Sequence, residues 1–398
     1  MRADAPYRRG PVCRPRGESL RLRSLVVFLA VGLSLYLLVR LSSPPAPVVA
    51  SIDLQAALSD QRGQFKEVTP GRSFQFPRDH GEHPEFKTEW WYFTGNLEGA
   101  DRSAFGYQLT LFRVGLSSPG QDNPSHWAVN SLMMGHFALS NLEEKKFRSF
   151  ERFSRRALGL AGIDNVQGPR IWLENWNIER RESSWQILAE AKTEEGRNFS
   201  IALQLEDTKP VVLQGDGGYS RKGPRTEHAS YYVSQTRLAT SGQLVFEDET
   251  FQVTGNSWFD HEWSSEAMAE GLAGWDWFSL QLDDNTELML YLLRYDDGRL
   301  EPASSGSYID AQGQKTDLSL NDFSVEKLSE HRSPRGVVYP SRWNINVPSL
   351  KLSLDVVPRM ADQEMTSGVL YWEGAVSVHG TRADSALDGS GFVELTGY

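Results

Sequence analysis

The chain has 398 residues and a formal net charge of −11. The first 40 residues hold eight Arg and two acidic residues, so the remaining 358 residues carry −17. This acidic balance argues against nucleic acid and against an anionic membrane surface as partners of the folded part. Cys13 is the only cysteine, which excludes disulfides and thiolate metal sites from the rest of the chain.

A basic segment and an uncharged apolar run open the chain. Residues 1–23 contain seven Arg, and the sixteen residues of Ser24–Val39 carry no charge. A membrane-spanning helix needs about 20 apolar residues, and flanking Arg side chains can snorkel to lengthen a short span. We therefore expect a cytoplasmic segment at 1–23, a transmembrane signal anchor at 24–41 and a linker at 42–69, with the rest exported to the periplasm or another extracytoplasmic space. A cleaved signal peptide is the alternative.

From about residue 70 the apolar residues recur with a period of two, which is typical of strands with one buried face. Short turns rich in Gly, Asp and Asn separate these runs, and this favours a sandwich or barrel. Roughly 330 residues exceed one small barrel, so we predict an all-β fold with two domains, at 70–264 and 265–398. The clearest runs are Phe105–Leu111, Ile201–Leu205, Phe278–Leu282, Trp343–Val347 and Leu352–Val356.

One stretch favours a helix within this β-rich pattern. Ser140-Asn-Leu-Glu143 has the sequence of a capping box. Phe147, Phe150, Ser154 and Leu158 then recur at helical spacing. We therefore predict a helix over this stretch.

The strongest candidate site is the motif Trp258-Phe-Asp-His-Glu-Trp263. Successive side chains of a strand face opposite ways, so Asp260 and Glu262 share one face and His261 takes the other. If that face looks into the barrel beside Trp258, the Asp260 carboxyl is partly desolvated and its pKa rises, which suits a general acid or base. We take Asp260 as the candidate general acid, with Glu262 and His261 in the same catalytic set. The alternative is a structural carboxylate that is bound by backbone N–H groups or by an Arg.

Tryptophan is abundant around this motif, with twelve in the chain. Each large aromatic side chain alone is more often part of a core, but together they fit a cavity for an apolar or conjugated ligand. The predicted ligand-binding residues are Trp90, Trp91, Tyr231, Trp258, Trp263, Trp275 and Trp277.

Histidines and acidic residues cluster in Asp79-His-Gly-Glu-His83, which suggests a metal site as one alternative. The spacing matches no recognised zinc motif and Pro84 indicates a loop, so we expect a hydrogen-bonded histidine pair and predict no metal or other cofactor. A serine hydrolase is disfavoured because the chain has no Gly-x-Ser-x-Gly motif. Further residues that would be available to a metal are Glu85, Glu89, His126, His136 and His261.

The segment from Asp79 through Glu89-Trp-Trp-Tyr-Phe-Thr-Gly-Asn-Leu97 resembles the start of the AttH-like proteins. These group with the carotenoid 1,2-hydratases (CrtC-like proteins) in a lipocalin-like superfamily. The resemblance covers about residues 70–398 and implies two lipocalin-like (calycin-type) β-barrel domains in tandem. It also implies exported or membrane-associated proteins, some of them associated with ABC-type export systems. It continues through Ala229–Leu238, Trp258–Trp263, Gly274–Phe278 and Gly391–Tyr398.

The hydratase branch implies a specific role for one residue. An Asp of these enzymes protonates a carbon–carbon double bond, and water then captures the carbocation; Asp260 matches that acid. Trp258 stands where the hydratases carry a Tyr. Their His-x-Trp pair, about one strand earlier, is replaced here by Tyr231-Tyr-Val233.

Three functions remain open at this point. The leading hypothesis is an exported, membrane-anchored lipocalin-like protein that binds a hydrophobic small molecule or lipid, linked to an ABC-type export system. The alternative is a hydratase or isomerase of an unsaturated apolar substrate, with Asp260 as general acid. The third is an accessory subunit of a membrane transporter. Whether the protein is an enzyme is therefore left open by the sequence.

Overall fold

The computed structural model describes residues 65–398, apart from residues 117–129, 157, 167, 267, 268, 270, 367 and 369. The predicted cytoplasmic segment, the signal anchor and the linker up to residue 64 lie outside the described residues and stay predictions. Within the described part of the chain, no helix has the length and apolarity needed to span a membrane.

The first half of the described chain forms one antiparallel sheet. Its strands are β1 (Thr88–Gly99), β2 (Ala104–Gly115), β3 (Ser131–Asn141), β4 (Lys146–Arg155), β5 (Ala161–Asp164), β6 (Arg170–Leu173), β7 (Trp176–Arg181), β8 (Ser184–Lys192), β9 (Asn198–Asp207), β10 (Val212–Leu213), β11 (Tyr219–Arg221), β12 (Ala229–Phe246) and β13 (Glu249–Ser264). Their spatial order is β4-β3-β2-β1-β13-β12-β9-β8-β7-β6-β5, and β10 and β11 also pair with β12.

The second half forms a second antiparallel sheet. Its strands are β14 (Leu272–Leu282), β15 (Glu287–Tyr295), β16 (Ser305–Ile309), β17 (Lys315–Ser319), β18 (Ser324–Arg332), β19 (Val338–Val347), β20 (Leu352–Pro358), β21 (Glu364–Met365), β22 (Tyr371–Arg382) and β23 (Ser385–Thr396). Their order is β17-β16-β15-β14-β23-β22-β20-β19-β18, and β21 pairs with β22. Short 3₁₀ turns occur at Arg78–His80 and Pro348–Leu350.

The predicted all-β class is confirmed, because the regular secondary structure of the described residues consists of strands apart from these two short turns. Each sheet curls around its own apolar core, consistent with tandem lipocalin-like barrels. β9 shows why the period-two pattern succeeds: Ile201, Leu203 and Leu205 are buried in the first core, and the residues between them are exposed. The first sheet ends at Ser264 and the second begins at Leu272; a division into separate domains at residue 265 stays a prediction.

The predicted helix starting at Ser140 is wrong, because this stretch is the hairpin of β3 and β4. Asn141, rather than Ser140, binds the local backbone: its Oδ1 accepts the Glu144 N–H at 3.0 Å and stabilises the turn. Phe147 and Phe150 are three residues apart, which suits one helix face but places them on opposite faces of a strand. Phe150 packs on the first core, and Phe147 packs on the layer between the sheets.

A third apolar layer lies between the two sheets. Tyr92 and Trp258 of the first sheet pack there with Trp277, Met289 and Phe392 of the second. These side chains belong to the outer faces of the strands whose inner faces form the two barrel cores. The layer therefore joins the sheets through their central strands, β1 and β13 on one side and β14 and β23 on the other.

A buried ion pair also crosses between the sheets. Lys209, after β9, places its Nζ 2.8 Å from Glu287 Oε2 on β15. Arg237 of β12 donates from Nε to Glu287 Oε1 at 2.6 Å. The Glu287 side chain is 0% exposed and that of Lys209 is 3% exposed, so the carboxylate compensates one buried and one largely buried cation.

We expect Glu287→Gln to destabilise the protein strongly, because it leaves two cations without a counter-charge while it keeps the side-chain shape. The expected loss in the free energy of unfolding is about 3–5 kcal/mol, measured by urea denaturation. Asp297→Asn is the matched control: Asp297 pairs with Arg299 in an exposed pair, where solvent screens the interaction and little change in stability is expected. Equal effects of the two substitutions would contradict a role for Glu287 in joining the sheets.

Candidate functional site

Successive side chains of β13 face opposite ways, and this determines which residues of the motif Trp258–Trp263 reach the layer between the sheets. Trp258, Asp260 and Glu262 point toward the second sheet. Phe259 points into the first barrel core, and the His261 ring stacks there on Trp91. Adjacent residues of one strand thus belong to two different environments.

A cavity of about 120 Å³ lies between the two sheets. Its wall is mainly aromatic, with two carboxyl groups from each sheet. The volume is similar to that of an engineered cavity of roughly 150 Å³ that binds benzene, so it fits a small ring or one end of a longer apolar molecule. The cavity is lined by Trp90, Tyr92, Thr110, Phe112, Lys222, Tyr232, Asp260, Glu262, Trp275, Trp277, Tyr291, Leu293, Tyr371, Glu373 and Glu394.

Three side chains donate hydrogen bonds to the carboxyl group of Asp260. The Trp258 indole N–H and the Ser234 hydroxyl donate to Oδ1 at 2.7 and 2.5 Å, and the Tyr232 hydroxyl donates to Oδ2 at 2.6 Å. Burial raises the pKa of Asp260 to about 7, because desolvation of the charged form outweighs these hydrogen bonds and Glu262 adds to the rise. A carboxyl group with this pKa can give or take a proton at neutral pH.

Glu262 is paired with a buried lysine. Lys222 Nζ lies 3.1 Å from Glu262 Oε1, and the Ser230 hydroxyl donates to the same oxygen. The ammonium group also lies 4.8 and 4.0 Å from the ring centroids of Tyr232 and Tyr291. Burial opposes the charge of Lys222, but the combined effects of Glu262, Tyr291 and Asp260 outweigh it and raise the lysine pKa. The ion pair thus places two polar side chains in the otherwise mainly aromatic wall of the cavity.

The second sheet contributes Glu373 on β22 and Glu394 on β23, which are direct partners in the antiparallel ladder. The Trp275 indole N–H donates to Glu394 Oε2 at 3.2 Å, and the Tyr92 hydroxyl donates to Glu373 Oε1 at 2.5 Å. Burial raises the pKa of Glu394 to about 7, with the acidic residues of β13 adding to the rise. Burial, together with Glu394, raises the pKa of Glu373 well above its usual value.

Asp260 and Glu394 therefore form an acid–base pair in one cavity. Both have a pKa of about 7, and the Asp260 charge adds to the rise at Glu394, so near neutral pH each carboxyl is available in its protonated and in its ionised form. Such a pair can give a proton to a bound molecule and accept one from water. Trp90, Phe112 and Trp277 line the same cavity, and aromatic rings can attract a developing cation that lies over their faces.

Comparison with known proteins assigns the family. The AttH-like family model matches residues 67–398. The chain belongs to the AttH-like family. The resemblance found in the sequence motifs is thereby confirmed.

Solved structures agree with this assignment. A Nitrosomonas europaea protein described as an AttH is 33% identical to this AttH-like chain, with a TM-score of 0.72; the match covers 84% of this chain and 100% of that one. Kievitone hydratase from Nectria haematococca is 14% identical, with a TM-score of 0.59 and coverage of 84% and 98%. At that identity the similarity shows a shared fold alone. No curated protein sequence matches the chain.

The structure separates the predicted ligand-binding residues of this AttH-like chain into two groups. Those at or beside the cavity are Trp90, Trp258, Trp275 and Trp277. Trp91, Tyr231 and Trp263 point away from it, into the first core or the cluster at its end. Tyr232 lines the cavity in place of Tyr231, because neighbouring side chains of β12 face opposite ways.

His261 belongs to a separate charged cluster behind β13. Its Nε2 lies 2.9 Å from Glu89 Oε1, and His83 Nδ1 lies 2.8 Å from the same oxygen. Arg113 Nε donates to Glu89 Oε2 at 3.1 Å. Burial alone would raise the pKa of Glu89, but the two imidazoles and the guanidinium hold it far below its usual range. The cluster fastens the segment before β1 to the first sheet.

His83, Glu89 and His261 place three potential metal-ligand atoms within 4.8 Å of one another. Their environment does not favour a cation. Arg113 already supplies a positive charge to Glu89, and the two imidazoles stack on the indoles of Trp263 and Trp91. We therefore interpret the cluster as structural. Of the other possible ligands, His126 lies outside the described residues.

Sequence patterns did not single out Lys222, Tyr232, Glu373 or Glu394 as site residues. A period-two pattern shows that two residues share a face, but not which other face packs against it. One signal was present, because Glu394 lies in the terminal motif Gly391–Tyr398 that carries the family resemblance.

Asp260→Asn should stabilise the protein at high pH. The folded pKa of about 7 exceeds the ordinary value of 3.8, so the folded state keeps a proton that the unfolded state has lost. Wild-type stability therefore falls as the pH rises from about 4 to about 7, and this loss is complete above the folded pKa. We expect the variant to gain on the order of 4 kcal/mol relative to wild type above pH 7.

Urea unfolding on both sides of this pH window measures the difference. Asp388→Asn is the control, because Asp388 is an exposed Asp at 71% side-chain accessibility. A gain for Asp260→Asn that is independent of pH would contradict a raised Asp260 pKa.

Proposed function

We propose that this protein is an acid–base enzyme that adds water to, or isomerises, an unsaturated and largely apolar small molecule. Asp260 is the proton donor, and the cavity between the sheets is the active site. The observation that carries the proposal is the Asp260 carboxyl group, buried in an aromatic cavity with its pKa raised to about 7. This environment keeps part of the carboxyl protonated at neutral pH, as a general acid requires.

The cavity supports each step of such a reaction. Asp260 transfers its proton to one carbon of a double bond, and positive charge develops on the other. The faces of Trp90 and Trp277 stabilise that charge. Glu394, in its ionised form, accepts a proton from the water that attacks the carbocation. The substrate gains one hydrogen and one hydroxyl group, and the two carboxyl groups exchange protonation states.

The comparisons lend limited support to this chemistry. Kievitone hydratase shares the fold and is named as a hydratase, and at its low identity it argues only that this fold can house water addition. The Tyr231-Tyr-Val233 stretch, which differs from the carotenoid hydratases, argues against assuming their substrate. Fold similarity by itself names neither substrate nor reaction.

The second candidate is a binding protein for a hydrophobic small molecule or lipid. Its support is that Tyr232, Ser234 and Trp258 donate hydrogen bonds to both oxygens of Asp260. Such an arrangement suits a carboxyl group with a structural role as well as it suits a catalytic acid. If the predicted anchor at 24–41 forms, either activity would take place outside the cytoplasm. Association with ABC-type transporter subunits is a further proposal, tested by co-purification that survives deletion of residues 1–45.

We expect Asp260→Asn to abolish turnover and preserve binding, because Asn keeps the shape of Asp but has no transferable acid proton. The assay incubates the protein with a panel of polyenes and isoprenoid alkenes in ¹⁸O-labelled water and measures uptake of water by mass spectrometry. The expected loss of rate is roughly 10²–10⁴-fold.

Asp276→Asn is the matched control for that assay. Asp276 is a buried Asp with a raised pKa that pairs with Arg294 instead of lining the cavity. If Asp260→Asn loses binding and turnover equally, or if the wild type neither hydrates nor isomerises any member of the panel, the enzyme assignment fails and the binding protein becomes the better description.

We expect an apolar polyene to quench the tryptophan fluorescence of the wild type in a saturable way. Trp277→Phe should remove a large part of that quenching, because Trp277 lines the cavity. Trp343→Phe is the control, since Trp343 is equally buried but lies in the second barrel core. Fluorescence titration measures the quenching of the wild type and of each variant. Quenching that does not saturate, or that the two substitutions reduce equally, would argue against a ligand in this cavity.

A further inference from the structure

The ion pair in the cavity wall has hydrogen-bonding capacity left for a bound molecule. Lys222 Nζ lies 3.1 Å from Glu262 Oε1, and the two side chains are 11% and 8% exposed. Within the described part of the chain, the other contacts of the ammonium group are with the faces of two tyrosine rings, which are weaker partners than an oxygen atom. Lys222 and the Ser230 hydroxyl both bind Oε1 of Glu262, so Oε2 is left for a further donor.

Strand pairing places this ion pair beside the carboxyl group of Asp260. Glu262 stands opposite Trp90 of β1 and Tyr232 of β12 in the ladder, and all three residues line the cavity. Asp260 precedes Glu262 by two residues on the same face of β13, which corresponds to about 7 Å along a strand. One ring or one short chain therefore spans the distance between the ion pair and Asp260.

Contacts with the second sheet hold the lysine at this place. Lys222 follows β11, and its backbone N–H donates to the His228 carbonyl at 2.7 Å. The Tyr291 hydroxyl on β15 donates to the Arg221 carbonyl at 2.9 Å, and the Tyr291 ring centroid lies 4.0 Å from Lys222 Nζ. The ammonium group is therefore in position before a ligand binds, which reduces the entropy cost of binding.

The charges of the cavity determine which polar group of a ligand fits beside the ion pair. A hydroxyl group can bind both residues at once, because its oxygen accepts from Lys222 and its hydrogen is donated to Glu262. An ether or carbonyl oxygen can use Lys222 alone. A carboxylate would be a fifth acidic group in the cavity, where the described lining residues supply four carboxyl groups and one lysine. The fit therefore favours a neutral hydroxyl group.

We propose that Lys222 and Glu262 select a substrate that carries a neutral hydroxyl group, so that the substrate class is an unsaturated alcohol or phenol. This inference rests on the proposed function, because Asp260 defines where the double bond must lie. The hydroxyl group binds at the ion pair, and the apolar body packs on the aromatic wall. The double bond then lies about 7 Å from the hydroxyl group, beside Asp260. Lys222 and Glu262 bind the substrate and take no part in proton transfer.

Isothermal titration calorimetry with a matched ligand series tests this selection by binding alone. Geraniol has a hydroxyl group, geranyl methyl ether keeps the oxygen but has no hydrogen to donate, and geranic acid has a carboxylate. We expect geraniol to bind the full-length wild type roughly tenfold or more tightly than either analogue. A parallel titration of Asp260→Asn separates the heat of binding from any heat of reaction. Equal or tighter binding of the ether or the acid, or no binding of geraniol, would overturn the inference.

Replacing both members of the ion pair with Met removes the recognition group and leaves no buried charge without a partner. Replacement of a buried ion pair by apolar residues of similar size is often neutral or stabilising. We expect Lys222→Met combined with Glu262→Met to bind geraniol and its methyl ether equally. The matched control is Lys146→Met combined with Glu247→Met, a pair 3.0 Å apart at 41% and 23% exposure that does not line the cavity. It should keep the wild-type preference.

A preference for geraniol that persists in the folded cavity variant would contradict the selection, and so would its loss in the control. Thermal unfolding verifies that each variant is folded; if the cavity variant does not fold, the ligand series with the wild type decides the test. Failure of the proposed function gives a different result: geraniol is still preferred over its analogues, but the wild type neither hydrates nor isomerises it.

Discussion

Burial of carboxyl groups between two apolar sheet faces is the constraint on which the candidate site depends. Asp260, Glu373 and Glu394 lie where the outer faces of the two barrels meet, and desolvation is the largest cause of the raised pKa of each. Each carboxyl group has a hydroxyl or indole donor from a neighbouring aromatic side chain, but these donors do not cancel the cost of burial. The protein thus gives up stability where the proposed chemistry needs a neutral acid.

The two faces of β13 show that the environment, rather than the residue type, sets the protonation state. On one face Asp260 lies among indoles, phenols and other carboxyl groups, and its pKa is about 7. On the other face, His261 contacts Glu89 of the neighbouring strand β1. Glu89 is just as buried as Asp260 but is surrounded by Arg113 and His83, and its pKa lies far below the usual range. One cluster holds the N-terminal segment in place, and the other contains the titratable group of the proposed reaction.

Contacts between the sheets therefore matter as much as the sheets themselves. The cavity takes its walls from both sheets, and the Glu287 ion pair with Lys209 and Arg237 fixes their arrangement. A hydrogen bond between Tyr371 and His136 crosses the same boundary. A change that separates the sheets would remove the cavity and the desolvation of its carboxyl groups together, while each barrel core would keep its own packing.

The sequence by itself determined the all-β class, the main strands, the AttH-like family and the placement of Asp260 opposite to His261, because strand alternation is a local property. Local spacing failed at β3 and β4, where Phe147 and Phe150 fit both a helix face and two strand faces. Only the tertiary structure decided that Tyr232 rather than Tyr231 reaches the cavity, and that Glu373 and Glu394 join Asp260. The reason is physical: the sheet faces that pack together, and the desolvation they cause, depend on residues far apart in the chain.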